Sequence, residues 1–410
     1  MDSHSIRKVN FYDRAIVFMI ALNAAGMYLA PLTLIRLLSI LLIPYVLIKI
    51  FTRKYRLPSY VNRFFIVWFV LSIASLLWSP DKINGVKFLC YNLSSYLCFS
   101  SLYIFSLKAN KPVTSIIWGW CLLFALTVPI ALNEFINDVH LTMSVHDTAT
   151  TILDTSTGQR VLRKYASVTF GNLNNYSLTI VYCLPFALTG LLINKKYKVL
   201  KTFIVAGMAS ILLYNASRGG LLCLTLAVLI FLIYIFRGKE VNRWSLMLLS
   251  VIGIATIFHY SDIILSQIEG RLLESTINSD SSRIHIIKNS LIVLTESFGM
   301  GSGIGGMELS LKQVSALDIA ATHNLFLEFL CQYGIIPFAF FIAMLWKIFR
   351  ELTKSGGKAK SFLGYAVAII ILPLSVINSG YLEAQIFWLF LSSLLSIGSL
   401  RTDATAGHQY

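Results

Sequence analysis

Apolar residues fall in runs near 20 long, broken only by short polar stretches, from one end of the chain to the other. A helix needs about 20 such residues to cross a hydrocarbon core of roughly 30 Å. The pattern predicts twelve membrane spans, at about 15–30, 32–51, 64–79, 88–107, 114–132, 174–193, 202–216, 219–236, 244–260, 324–346, 361–379 and 381–398. The short connections on one side carry most of the basic residues, among them Arg53, Lys54, Arg56, Lys195, Lys196, Lys198, Lys354 and Lys358. By the positive-inside rule that side is cytoplasmic, and it holds both termini. The two long connections, about 133–173 and 261–323, fall on the other side, where function is expected.

Within the second of these, Asp280, Ser281 and Ser282 predict the N-cap of a short amphipathic helix running to about Ser297. Ile284, Ile287, Leu291 and Leu294 would form its apolar face, on the membrane surface or over a cavity. With no repeat of fixed period, residues 1–410 read as one polytopic all-α membrane domain. The first apolar run has no small-residue cleavage site and is expected to be retained as an anchor.

Composition sharpens this picture. At 56% hydrophobic and 13% charged, with a mean hydropathy of +0.72, the chain lies outside the range of water-soluble domains. An outer-membrane barrel would alternate in segments of about ten residues, which this chain does not. The net charge of +15 belongs to the sidedness just described, so no nucleic-acid partner is expected. The six cysteines lie in or beside apolar runs without a CxxC pair, and neither disulfide nor metal site is expected.

Three positions on the outer side stand out. Arg218, in Ser217-Arg218-Gly219-Gly220, lies in a turn too short to be a free loop. Arg283 falls in the first turn of the loop helix, where the helix dipole adds to its charge. A guanidinium fork matches phosphate oxygens and stays charged, so two of them at a membrane surface suit a diphosphate. His323 opens the span at 324–346 and has the near-neutral chemistry of a general base. A snorkelling arginine, a solvated loop arginine and a polar helix cap are the plain alternatives for these three.

Arg36 lies inside the second span, where a charge is a functional candidate or a snorkelling side chain. Arg160, Arg163, Lys164 and Tyr165 precede Phe170-Gly171-Asn172-Leu173-Asn174-Asn175, a group able to bond and stack on sugars or merely to cap the next helix. Asn324 and Glu328 follow His323 at helical spacing, and either could orient its ring, with packing against a neighbouring helix the alternative for Glu328. Gly301-Ser302-Gly303-Ile304-Gly305-Gly306 spells GxGxxG, but no strand precedes it and its side of the membrane has no nucleotide pool. Its glycines are expected to let the loop turn tightly.

Taken in order, Phe170-Gly171-Asn172, Ser217-Arg218-Gly219-Gly220-Leu221-Leu222, the Arg283 helix, the glycine turn, His323-Asn324-Leu325-Phe326-Leu327-Glu328 and Tyr333-Gly334-Ile335-Ile336 resemble the O-antigen ligase and polymerase superfamily. The resemblance covers about residues 165–345. It implies a bacterial inner-membrane glycosyltransferase with a periplasmic active site, taking a glycan from undecaprenyl diphosphate without nucleotide sugar, metal or other cofactor. It further implies that Arg218 and Arg283 bind the donor diphosphate and that His323 activates the acceptor hydroxyl for an inverting transfer; by its position, Arg36 is a further candidate for the diphosphate. Asn172, Asn174, Arg160, Arg163 and Asn324 are candidates for substrate contact.

A ligase passes the finished chain to a lipid A-core acceptor, whereas a polymerase joins lipid-linked repeats. One arginine-bearing loop helix followed closely by the histidine resembles the ligase arrangement, and polymerase is the alternative. A polysaccharide-related transporter is the remaining class, but it would place its polar residues near the bilayer midplane rather than at one face.

Overall fold

In a computed structural model of the chain, the described residues are 8–27, 30–52, 56–141, 151–153, 160–162, 164–193, 197–237, 280–314, 321–354 and 357–400. Helices dominate: α1 Phe11–Ala21, α2 Leu34–Leu41, α3 Ile43–Phe51, α4 Ser59–Ser75, α5 Lys82–Lys108, α6 Pro112–Asn137, α7 Leu173–Ile193, α8 Lys198–Asn215 and α9 Arg218–Arg237. Then follow α10 Asp280–Glu296, α11 Met307–Val314, α12 Leu325–Tyr333, α13 Ile335–Lys354, α14 Lys358–Ser375 and α15 Gln385–Ser399. Among the described residues, six helices (α5 to α9 and α14) are long and apolar enough to cross a membrane, and α4 and α15 are shorter apolar helices. The expected span at 244–260 lies outside the described residues.

Two expected spans are broken helices, each for a local reason. The run at 32–51 divides between α2 and α3 at Leu42, just before Pro44, which has no N–H to give to the helix ladder. The run at 324–346 divides at Gly334, whose φ of +82° ends α12. A Cβ there would lie 2.6 Å from the Gly299 and Met300 carbonyl oxygens, so the break is also where another segment crosses. That segment is the glycine turn: Ser302 N donates to Cys331 O at 2.7 Å, and Trp78 Nε1 to Gly301 O at 3.1 Å. Gly301, Gly303 and Gly305 all have φ near +80° (77°, 81° and 75°), as the expected tight turn requires.

The loop helix α10 starts at Asp280 as expected, but its buried face differs. Ile286, Ser290 and Val293 are covered, whereas Ile287 and Leu291 are exposed. Ser290 is under the turn end of α12, where its carbonyl meets Cys331 Sγ, so a serine rather than the most apolar stripe faces the protein. The connection after α6 contains an unexpected antiparallel pair, β1 Thr151–Leu153 with β2 Arg160–Leu162, Ile152 opposite Val161.

Polar bonds join distant segments at both ends of the bundle. At one, which carries many lysines, the Asn10 amide donates to Lys108 O, Asp13 accepts from Lys111 N and Lys201 Nζ donates to Gly190 O. Between the ends α9 packs along α14, α15 along α5 and α1 along α6. Aromatic side chains fill the interior: the Trp68 and Trp388 rings lie 4.9 Å apart, and those of Phe329 and Phe341 4.8 Å apart.

Candidate functional site

At the other end, a single turn between α14 and α15 touches four segments that lie far apart in sequence. Ile377 presses on α9, where a Cβ on Gly219 would meet its Cγ1 at 2.7 Å. Asn378 bonds through its Nδ2 to Asn175 Oδ1 in the first turn of α7. Glu328, buried in α12, accepts from Gly380 N at 2.9 Å, Leu382 N at 3.2 Å and Tyr381 N at 3.4 Å. Arg36 in α2 donates from Nε to Gln385 Oε1 at 3.1 Å and from Nη2 to Glu383 O at 3.0 Å. Gly380 takes a φ of +77°, and successive N–H groups beside it converge on the one carboxylate.

The turn therefore ties together the starts of α7 and α9, the helix that follows His323, and Arg36. Arg218 is the first residue of α9, exposed, one helical position before Gly219. Its lead-in is fixed: Ala216 has a φ of +47°, and the Asn215 side chain pairs with both backbone groups of Ala166, at 2.9 Å and 3.0 Å. Among the described residues no hydrogen bond or ion pair occupies the Arg218 guanidinium.

His323 is half-buried, with a φ of +45° that is strained for any residue but glycine. Asn324 next to it caps α12, its Oδ1 accepting from Phe326 N at 2.9 Å and Leu327 N at 3.1 Å. Glu328 is committed to the turn. These bonds account for Asn324 and Glu328 as groups that build the frame beside the histidine.

Arg283 lies in the first turn of α10, which packs against α11 and α12. Arg36 also bonds the Pro31 carbonyl and stacks on Tyr91, 3.8 Å from the ring centre, so much of its guanidinium is held by protein. Beside it, burial pushes the Glu383 carboxyl above the usual carboxylate range, against the pull of Arg36 and Lys87. Asn172 caps α7 by accepting from Asn175 N at 2.7 Å, while Asn174 is partly exposed. Arg160 opens β2, and Arg163 is outside the described residues.

Glu134 was not singled out from sequence. Wholly buried near the end of α6, it accepts from Ser167 N at 2.8 Å and Val168 N at 2.9 Å, fixing the extended segment whose Ala166 pairs with Asn215. Nor was the α14–α15 turn; its one signal was the turn-forming run Asn378-Ser379-Gly380 between two apolar helices.

Chemically, the site offers a guanidinium at a helix N-terminus that is unengaged among the described residues, where dipole and charge both favour an anion, and the α14–α15 turn joins that helix to the one that follows a histidine on strained backbone. A family model described as O-Antigen ligase matches residues 203–342, the stretch that holds Arg218, Arg283 and His323. The chain is also 22% identical over 359 residues to the teichuronic acid biosynthesis protein TuaE of Bacillus subtilis (strain 168), covering 81% of this chain and 70% of that protein. With apolar helices able to span a bilayer and this match over its arginine and histidine segments, the chain is similar to the O-antigen ligase family and to a teichuronic acid biosynthesis protein.

Proposed function

We propose that the protein is an inverting glycosyltransferase that moves a polysaccharide from undecaprenyl diphosphate to an acceptor hydroxyl, acting as an O-antigen ligase toward a lipid A-core acceptor. The acceptor oxygen attacks the anomeric carbon, its proton passes to His323, and the bond from that carbon to the diphosphate oxygen breaks. Arg218 and Arg283 hold the departing diphosphate and offset its charge, with no metal called for. Arg36 adds the N–H groups its protein bonds leave over. Asn174, Arg160 and Arg163 are substrate-contact candidates, whereas Asn172 and Asn324 act chiefly as helix caps. The reaction lies on the periplasmic side of the inner membrane in a twelve-span topology with both termini cytoplasmic.

The observation that carries this reading is the α14–α15 turn, which meets Gly219 beside Arg218 and Glu328 beyond His323. It gives distant parts of the sequence one common frame. A strained backbone at His323 adds to it, since such strain clusters at active sites. Polymerase is the second reading, favoured by a relative named for the biosynthesis of teichuronic acid rather than for a ligation step.

The cell-surface polysaccharide of a strain lacking the gene separates the two. Loss of all long-chain material, with polymer accumulating on its lipid carrier, identifies a ligase; acceptor bearing a single repeat identifies a polymerase. An unchanged profile in the deletion strain overturns both.

A further inference from the structure

A groove of about 840 Å³ runs along the outside of the bundle between α1 and α6. Its two ends differ in chemistry. Arg14 and Lys111 line it at the lysine-bearing end, with Trp118 and Tyr197 beside them, their rings 5.9 Å apart and edge to face. At the far end it is lined by Ala24 and Ala25, and between the ends by apolar side chains such as Phe18. Asp13 also lines the charged end, but its carboxylate is already used: it accepts from Asn10 N, Asn110 N, Lys111 N and Ser115 Oγ. Among the described residues neither Arg14 nor Lys111 is in a salt bridge.

An apolar trough with two unpaired cations and an aromatic pair at one end has the chemistry of a lipid seat: the aromatics mark the headgroup level and the cations select an anionic head. The length agrees. α1 has 11 residues and so extends about 16 Å, roughly half of a ~30 Å hydrocarbon core, the depth of one leaflet. The charge also fixes which lipid. A carrier-linked donor would bring its diphosphate to the Arg218 end, where the groove is lined by alanines, so the occupant comes from the opposite leaflet.

We infer that the groove between α1 and α6 binds an anionic phospholipid, its phosphate between Arg14 and Lys111 and an acyl chain along α1. Full-length protein, purified in detergent and stripped of lipid, is titrated with phosphatidylglycerol or phosphatidylcholine, and retained lipid is counted by native mass spectrometry. Phosphatidylglycerol is expected to bind the more tightly, and Arg14→Gln with Lys111→Gln to weaken it about ten- to thirtyfold. Lys354→Gln, which removes an exposed cation elsewhere at that end, should leave binding unchanged, and Leu122→Trp, filling the trough, should abolish it. Equal binding of both lipids, retention by the Arg14/Lys111 variant or by Leu122→Trp, an equal loss in Lys354→Gln, or displacement of phosphatidylglycerol by undecaprenyl phosphate would each overturn the assignment.

Discussion

Glu328 in α12 and Gly380 after α14 meet at 2.9 Å, carboxylate to backbone N–H, across 52 residues of sequence. Two further N–H groups, of Tyr381 and Leu382, converge on the same carboxylate. Glu328→Ala would leave them without a partner in a buried setting, at about 1–3 kcal/mol for each group so stranded. We expect the purified variant to melt well below wild type in the same detergent. Glu328→Gln, which keeps the carbonyl oxygen as acceptor, should lose less.

Gly219 and Ile377 form the second joint of that turn, and a methyl group on Gly219 has no room. Gly219→Ala should destabilise by about 1–3 kcal/mol through overpacking. Ile377→Ala opens the space, so the double variant should be more stable than the sum of the single effects predicts, with a coupling of about 0.5–3 kcal/mol. Thermal melts of the four proteins of the cycle measure it.

Asn215 positions Arg218 through its paired bonds to Ala166. Asn215→Ala should raise the KM for lipid-linked donor while kcat changes less, because the turn that presents the guanidinium is loosened and the reacting groups are retained. A steady-state donor titration separates the two constants.

Arg218 itself should not tolerate its nearest chemical substitute. A lysine brings one compact charge in place of a planar fork, so Arg218→Lys should recover only a small part of the activity lost in Arg218→Ala. The alanine variant should fall by about 10²–10³ in kcat, the scale seen when a transition-state charge loses a donor. Donor turnover by purified variants checks both.

Much of this was legible in the sequence where the signal is local. The start of α10 at Asp280 and the tight glycine turn at 301–305 followed from residues beside one another. So did the apolar runs of α5 to α9. The buried face of α10 was not legible, because Ile287 and Leu291 sit on an exposed side, and apolar residues near a membrane do not have to point into protein. The divisions at Leu42 and Gly334 were hidden inside runs long enough to span. The α14–α15 turn was least legible: its partners Arg36, Asn175, Gly219 and Glu328 come from four helices, and no spacing rule links them.

In the proposed reaction His323 accepts the proton of the acceptor hydroxyl. It is tested most directly by glycan transfer from a synthetic undecaprenyl-diphosphate donor to acceptor, using purified wild type and His323→Ala matched for thermal stability. A general base at His323 entails a loss of about 10²–10⁴-fold in turnover with donor binding retained. Turnover by His323→Ala within about twofold of wild type, far short of what removing a general base entails, would contradict it.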